Sequence, residues 1–207
     1  HFQHAQALND AGLQFWRQIV WAKAGVAFPI WQYTTAARKY HPNYTHEVIF
    51  LFSNGMPLAG GTCEVDDVYS KDVWQIHQSS ATRDIPGETN GRKPRNDEHG
   101  GSKAAAHPAA YPIGIPAGCI KHLTARAENV YEPFSGSGTT MIACQQLGRK
   151  CYGIEIEPIY VDVAIRRWQK LTGAQATLDG TNKTWAAIAK KRGVKIDEPD
   201  SGTAPNG

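Results

Sequence analysis

Apolar residues in this chain follow two spacings. Residues 16–21 and 47–52 concentrate β-branched and aromatic side chains and predict strands, because such side chains suit a pleated, half-buried surface. Between them Pro29, Thr34, Thr35, Pro42 and Asn43 predict a loop, and a third short strand is expected at 72–76. From 53 to about 106 glycines and polar residues cluster, and the run 79–102 has no period, which reads as a loop or insert. The pattern then becomes regular. Pro116 suits the first turn of a short helix to about 126, with Ile120 and Leu123 at i, i+3, followed by a strand at 129–133. A glycine-rich turn leads into a helix closed by Gly148, and a strand is expected at 150–156. Pro158 opens a last long helix, in which Tyr160, Ala164, Trp168 and Leu171 form one apolar stripe before Gly173 stops it. Strand, glycine turn, helix, strand, helix predicts a parallel βαβ unit with its ligand end at the first turn. A short helix at 184–192 and a Pro/Gly/Ser end, expected to be disordered, complete the chain.

The 207 residues are 41% hydrophobic and 20% charged, enough for a globular core and too apolar for whole-chain disorder. No apolar run exceeds five residues, as at 48–52, far below the ~20 of a membrane span. There is no leader-like N-terminus, so a cytoplasmic protein whose true start precedes His1 is expected. The four cysteines (Cys63, Cys119, Cys144 and Cys151) show neither C-x-x-C spacing nor paired histidines, so no metal site is expected and buried thiols are. The net charge of +3 permits an anionic partner without demanding one.

Gly136 and Gly138 stand after a strand and before a helix, where backbone approaches a ligand closely and helix N–H groups are free. No Gly-Lys-Ser/Thr follows, which excludes a P-loop, and Met141 occupies the third glycine position of a dinucleotide fingerprint. Glu155, 19 residues after Gly136, stands at the second strand's end, where a carboxylate accepts hydrogen bonds from ribose hydroxyls. A nucleoside ligand and a surface glutamate are equally compatible with that placement.

The run Glu132-Pro-Phe-Ser-Gly-Ser-Gly-Thr-Thr140 resembles the D-P-F-x-G-S-G-T-T signature of S-adenosylmethionine-dependent DNA amino-methyltransferases. Gly153-Ile-Glu-Ile-Glu-Pro-Ile-Tyr160, with Ala164 and Arg166 or Arg167 beyond it, is similar to the acidic motif that follows in that family, and His107-Pro-Ala-Ala-Tyr-Pro112 resembles its H-P-x-x-[YF]-P segment. Upstream, Ile19-Val-Trp-Ala-Lys23, His46-Glu-Val-Ile-Phe50 and Asp72-Val-Trp74 look like further strands of the family. The resemblance covers about residues 8–173. Its motif order is that of the β arrangement, found in adenine-N6 and cytosine-N4 enzymes, with adenine N6 the preferred target. It implies an α/β, Rossmann-like fold with a central mixed sheet, S-adenosyl-L-methionine as cofactor and double-stranded DNA as partner, in the setting of bacterial or phage restriction-modification. It also implies that Glu132, Pro133, Phe134, Gly136, Ser137, Gly138 and Thr139 hold the methionyl end, that Glu155 takes the ribose, and that His107 and Pro108 close the pocket. Glu132 stands where Asp is commoner, and Lys103 lies four residues before His107 instead of three.

The family's catalytic motif, [D/N/S]-P-P-[Y/F/W], is absent, because the chain contains no Pro-Pro; His41-Pro-Asn-Tyr44 lacks the acid or amide and the second proline. That motif would accept hydrogen bonds from the flipped base's amine and stack an aromatic ring on it. The expectation is a C-terminal fragment, inactive alone and lacking the central catalytic strand. The sheet would be split, or directly paired across the gap between the 129–133 strand and the 17–21 strand. Residues 1–75 would be the rest of the catalytic half, 76–106 a target-recognition insert presenting Arg83, Arg92, Lys93 and Arg95 to DNA, 107–173 the cofactor half, and 174–207 a tail. Leu8, Ala11, Leu13 and Phe15 would close a preceding helix. A non-catalytic DNA-binding remnant and a nucleotide-dependent oxidoreductase are the alternatives, the latter disfavoured by Met141 and His107-Pro108.

Overall fold

The computed structural model describes residues 2–24, 45–55, 67–77 and 111–193. The N-terminal helix α1 (Phe2–Asp10) ends where Gly12 turns left-handed at φ 91°, with Leu13 N–H donating to Leu8 C=O at 3.1 Å. Leu13 and Phe15 therefore lie beyond the helix, and Phe15 belongs to β1 (Gln14–Ala24). The apolar spacing does not reveal this stop, because Gly12 is an isolated glycine whose role depends on its φ.

β1 pairs antiparallel with β2 (His46–Ser53) and parallel with β3 (Val73–His77), giving the order β2-β1-β3. Ile19 faces Ile49 across the first pairing, and Val20 and Trp21 face Val73 and Trp74 across the second. One extra residue bulges the ladder between Phe15 and Arg17. Ile19, Leu51 and Trp74 form the buried core of this sheet.

The second sheet has two parallel strands, β4 (Asn129–Glu132) and β5 (Lys150–Gly153), in register from Asn129↔Lys150 to Glu132↔Gly153. They are connected through α3 (Thr139–Leu147) and followed by α4 (Pro158–Thr172). Gly148 and Gly173 cap these helices in the left-handed conformation. Helix α2 (Gly114–Leu123) lies between the sheets. Its Cys119 packs on the first core, and Ile120 packs on the second with Ile113, Ile142, Ala143 and Cys144. Gly118 makes the approach to the first core possible: a Cβ there would lie 2.6 Å from the Tyr69 ring and 2.8 Å from Trp74. Fully buried Trp74 stacks on His122 at 5.7 Å, and Tyr69 meets its edge at 5.1 Å. The last helix, α5 (Trp185–Lys191), is reached through a Thr177–Thr184 bridge and capped by the Thr184 hydroxyl.

The described sheet is thus split in two, one of the two arrangements the sequence implied. The edge assignment needs correction, however. Among the described strands, the one matching 17–21 is flanked on both sides, so the outermost are β2 and β3 in one sheet and β4 and β5 in the other. The strand expected at 150–156 also stops at Gly153, although Ile154 N–H still donates to Glu132 C=O at 2.9 Å. Among the described residues no helix is long and apolar enough to cross a membrane.

Candidate active site at the glycine turn

Pro133 has no N–H with which to continue the β4 ladder, and the chain turns directly after it. Gly136 (φ 53°) and Gly138 (φ 80°) adopt left-handed conformations, which close the turn with Gly138 N–H donating to Ser135 C=O at 2.9 Å. Ile142 N–H then donates to Gly138 C=O, and α3 begins. Gly138 is constrained twice, because a Cβ there would lie 2.7 Å from Ala164 Cβ on α4. β5 also runs close to the turn, since a Cβ on Gly153 would meet Ser135 Oγ at 2.9 Å. The result is bare backbone at the carboxyl ends of two parallel strands, the position at which open α/β sheets bind ligands.

Two carboxylates converge on this turn. Glu155 Oε2 accepts the Gly136 N–H at 2.6 Å, and its Oε1 accepts the Glu157 N–H at 2.9 Å. These two bonds fix the carboxylate of Glu155 between the turn and the start of α4. Glu132 Oε1 accepts the Phe134 N–H at 3.0 Å, and Oε2 accepts the Thr140 hydroxyl at 3.0 Å. Tyr111 extends this chain, its hydroxyl lying 3.0 Å from Thr140 Oγ1. Burial raises the Tyr111 pKa and the Thr140 bond opposes part of that rise.

Arg167 holds the turn from the opposite side. Its Nη1 donates to Ser137 C=O at 2.6 Å, to Ser137 Oγ at 3.1 Å and to Thr139 Oγ1 at 3.3 Å. The hydroxyls of Ser137 and Thr139, both buried, thus each accept from Arg167. Arg166 points elsewhere, over the Trp185 ring at 5.2 Å. The sequence left Arg166 and Arg167 interchangeable and gave Tyr111 and Thr140 no role, since only the side chains' directions separate them.

Phe134 is 86% exposed and Ile156 96%, so an apolar rim borders the polar turn. Glu132, Pro133, Phe134, Gly136, Ser137, Gly138, Thr139 and Glu155 are all brought to this one turn. His107 and Pro108, and Arg83, Arg92, Lys93 and Arg95, lie outside the described residues. The free thiols of Cys144 and Cys151 interact, which raises the Cys144 pKa, burial adding to the rise, and lowers that of Cys151.

A sequence profile described as DNA methylase, of the N6/N4 type, matches residues 3–166. The type II methyltransferase M.XycI of Xanthomonas campestris pv. cyanopsidis is 32% identical over 165 residues, which cover 80% of this chain and 48% of that protein. Among solved structures, the cytosine-N4-specific PvuII DNA methyltransferase superposes with a TM-score of 0.57 at 22% identity, over 87% of this chain and 57% of that one. The complex of M1.HpyAVI with SAM gives 0.51 at 20% identity, over 79% and 67%. The chain spans about half the length of the curated relatives that it matches over most of its own. The fold is therefore the Rossmann-like methyltransferase fold, and with a profile match running from α1 through the glycine turn into α4, this chain belongs to the N6/N4 DNA methylase family.

Proposed function

We propose that this chain provides the cofactor-binding half of a DNA amino-methyltransferase that takes its methyl group from S-adenosyl-L-methionine. The observation that carries the reading is the glycine turn bracketed by two fixed carboxylates at the ends of β4 and β5. When bound, the cofactor would supply an electrophilic sulfonium methyl. The residues present fit such a molecule. Glu155 would accept the ribose hydroxyls, with the Gly136 N–H keeping its carboxylate in place. Glu132 would face the methionyl ammonium, and Pro133, Phe134 and the backbone of 136–139 would border the methionyl end. Ile156, beside Glu155, offers an apolar surface to a flat ring. His107 and Pro108 would close the pocket, and Arg83, Arg92, Lys93 and Arg95 would meet DNA.

The chain contains no [D/N/S]-P-P-[Y/F/W], and it offers no assigned group to activate an exocyclic amine. The reading is therefore that these 207 residues bind cofactor and do not methylate alone; adenine N6 as the whole enzyme's target is the preference carried by the family resemblance. Calorimetry with S-adenosylhomocysteine tests the site. E155A should weaken binding about 10- to 150-fold, from loss of hydrogen bonds to a charged acceptor worth ~1.5–3 kcal/mol. An unchanged affinity overturns the ribose assignment, and transfer of labelled methyl to duplex DNA by this chain alone overturns the claim that amine activation lies outside it.

A further inference from the structure

We infer that the Tyr111 hydroxyl is a positioning group for the methionyl end of the cofactor, acting on the Glu132 carboxylate through the Thr140 hydroxyl; the inference rests on the cofactor-binding reading proposed above. Glu132 stands where Asp is commoner, and its extra methylene adds a rotatable bond between backbone and carboxylate. The direction of the carboxylate therefore depends on what holds its two oxygens. The Phe134 N–H holds Oε1 at 3.0 Å from within the turn, and the Thr140 hydroxyl holds Oε2 at 3.0 Å from the first turn of α3.

The direction of these bonds follows from counting protons. A hydroxyl has one proton to donate, and Thr140 gives its own to Glu132 Oε2. In the 3.0 Å contact between Thr140 Oγ1 and the Tyr111 hydroxyl, Tyr111 is therefore the donor. Its raised pKa keeps that proton in place at neutral pH. Because Thr140 is buried, the two bonds lie where the local dielectric is low, and donation by Tyr111 polarises the Thr140 hydroxyl and strengthens its hold on Glu132. The relay also ties separate parts of the chain together, since Tyr111 precedes α2 while Glu132 and Thr140 flank the glycine turn. The segment that residues 107–112 resemble takes Tyr or Phe at position 111, so that motif requires a ring and does not require the hydroxyl.

The test is calorimetry on the full chain with two ligands: S-adenosylhomocysteine, which carries the amino-acid end, and methylthioadenosine, which keeps the nucleoside and sulfur without it. Y111F should weaken S-adenosylhomocysteine binding about 2- to 12-fold, as for the loss of one hydrogen bond, and leave methylthioadenosine at the unaltered chain's affinity. T140V should weaken S-adenosylhomocysteine at least as much, whereas T140S, which keeps the hydroxyl, should stay near the unaltered chain. In the T140V background Y111F should add no further loss, because the relay is already broken. An unchanged S-adenosylhomocysteine affinity in Y111F overturns the inference. Equal weakening of both ligands by Y111F assigns Tyr111 a purely structural role and overturns it as well, as does full additivity of Y111F and T140V. In each of these outcomes the unaltered chain still binds, so the cofactor reading stands; if the unaltered chain binds neither ligand, that reading falls and the inference with it.

Discussion

Replacing Gly138 with Ala separates two reasons for a glycine in the turn. At φ 80° and ψ 26° any L-residue sits in the left-handed region, which costs about 1–2 kcal/mol. The new methyl would also lie 2.7 Å from Ala164 Cβ and 3.3 Å from Ala164 Cα, closer than such atoms pack, and α4 is held by Arg167 and cannot simply move away. Overpacking of this kind costs about 1–3 kcal/mol, so G138A should lose about 2–5 kcal/mol in urea unfolding. Gly148 provides the comparison. It has φ 69° and nothing within 4 Å of a built Cβ, so G148A should lose only the conformational part, about 1–2 kcal/mol. The double variant G138A/A164G should recover most of the steric part, less the ~1 kcal/mol that glycine costs inside a helix. Equal destabilisation by G138A and G148A, with no recovery in the double variant, would refute the argument that α4 packs against the turn through Gly138 and Ala164.

R167M should lower stability by about 1.5–3 kcal/mol in urea unfolding, because the Ser137 and Thr139 hydroxyls lose a charged partner, and R167K should recover part of it. G118A should cost about 1–3 kcal/mol or more by overpacking against Tyr69 and Trp74, seen also as a changed near-ultraviolet signal from the tryptophan. Burial pushes the Cys119 thiol up to about 11 from its ordinary 9.0, so the folded state holds a proton that the unfolded chain releases earlier. The contribution is complete below about pH 9 and lost as pH rises toward 11, by about 2–3 kcal/mol; the difference between the unaltered chain and C119A across about pH 8–11 measures it.

Much of the glycine-turn region could be read from the chain because its determinants are close together. Pro133 ends a strand, Gly136 and Gly138 turn the backbone, Pro158 starts a helix, and Gly148 and Gly173 end helices through their own φ values. These are local steric rules, and the elements they predicted between 129 and 173 agree with the structure to within three residues. Glu155 could be placed beside the turn for the same reason, since one crossover fixes a strand end opposite another.

Pairing between distant strands follows no such rule. β1 has two neighbours more than 20 residues away, one antiparallel and one parallel, and nothing in residues 14–24 says which edge each occupies. That choice depends on burying Ile19, Trp21, Leu51 and Trp74 together, and on the close approach of α2 at Gly118, which are properties of the assembled core. The direction of Arg167 and the Tyr111–Thr140 contact are of the same kind. By itself the sequence determined the βαβ unit, its turn and its two acids, because neighbouring residues set backbone angles. Only the tertiary structure decided the order of the first sheet, the bridging role of α2 and the arginine that holds the turn, because those depend on side chains meeting across about 20 or more intervening residues.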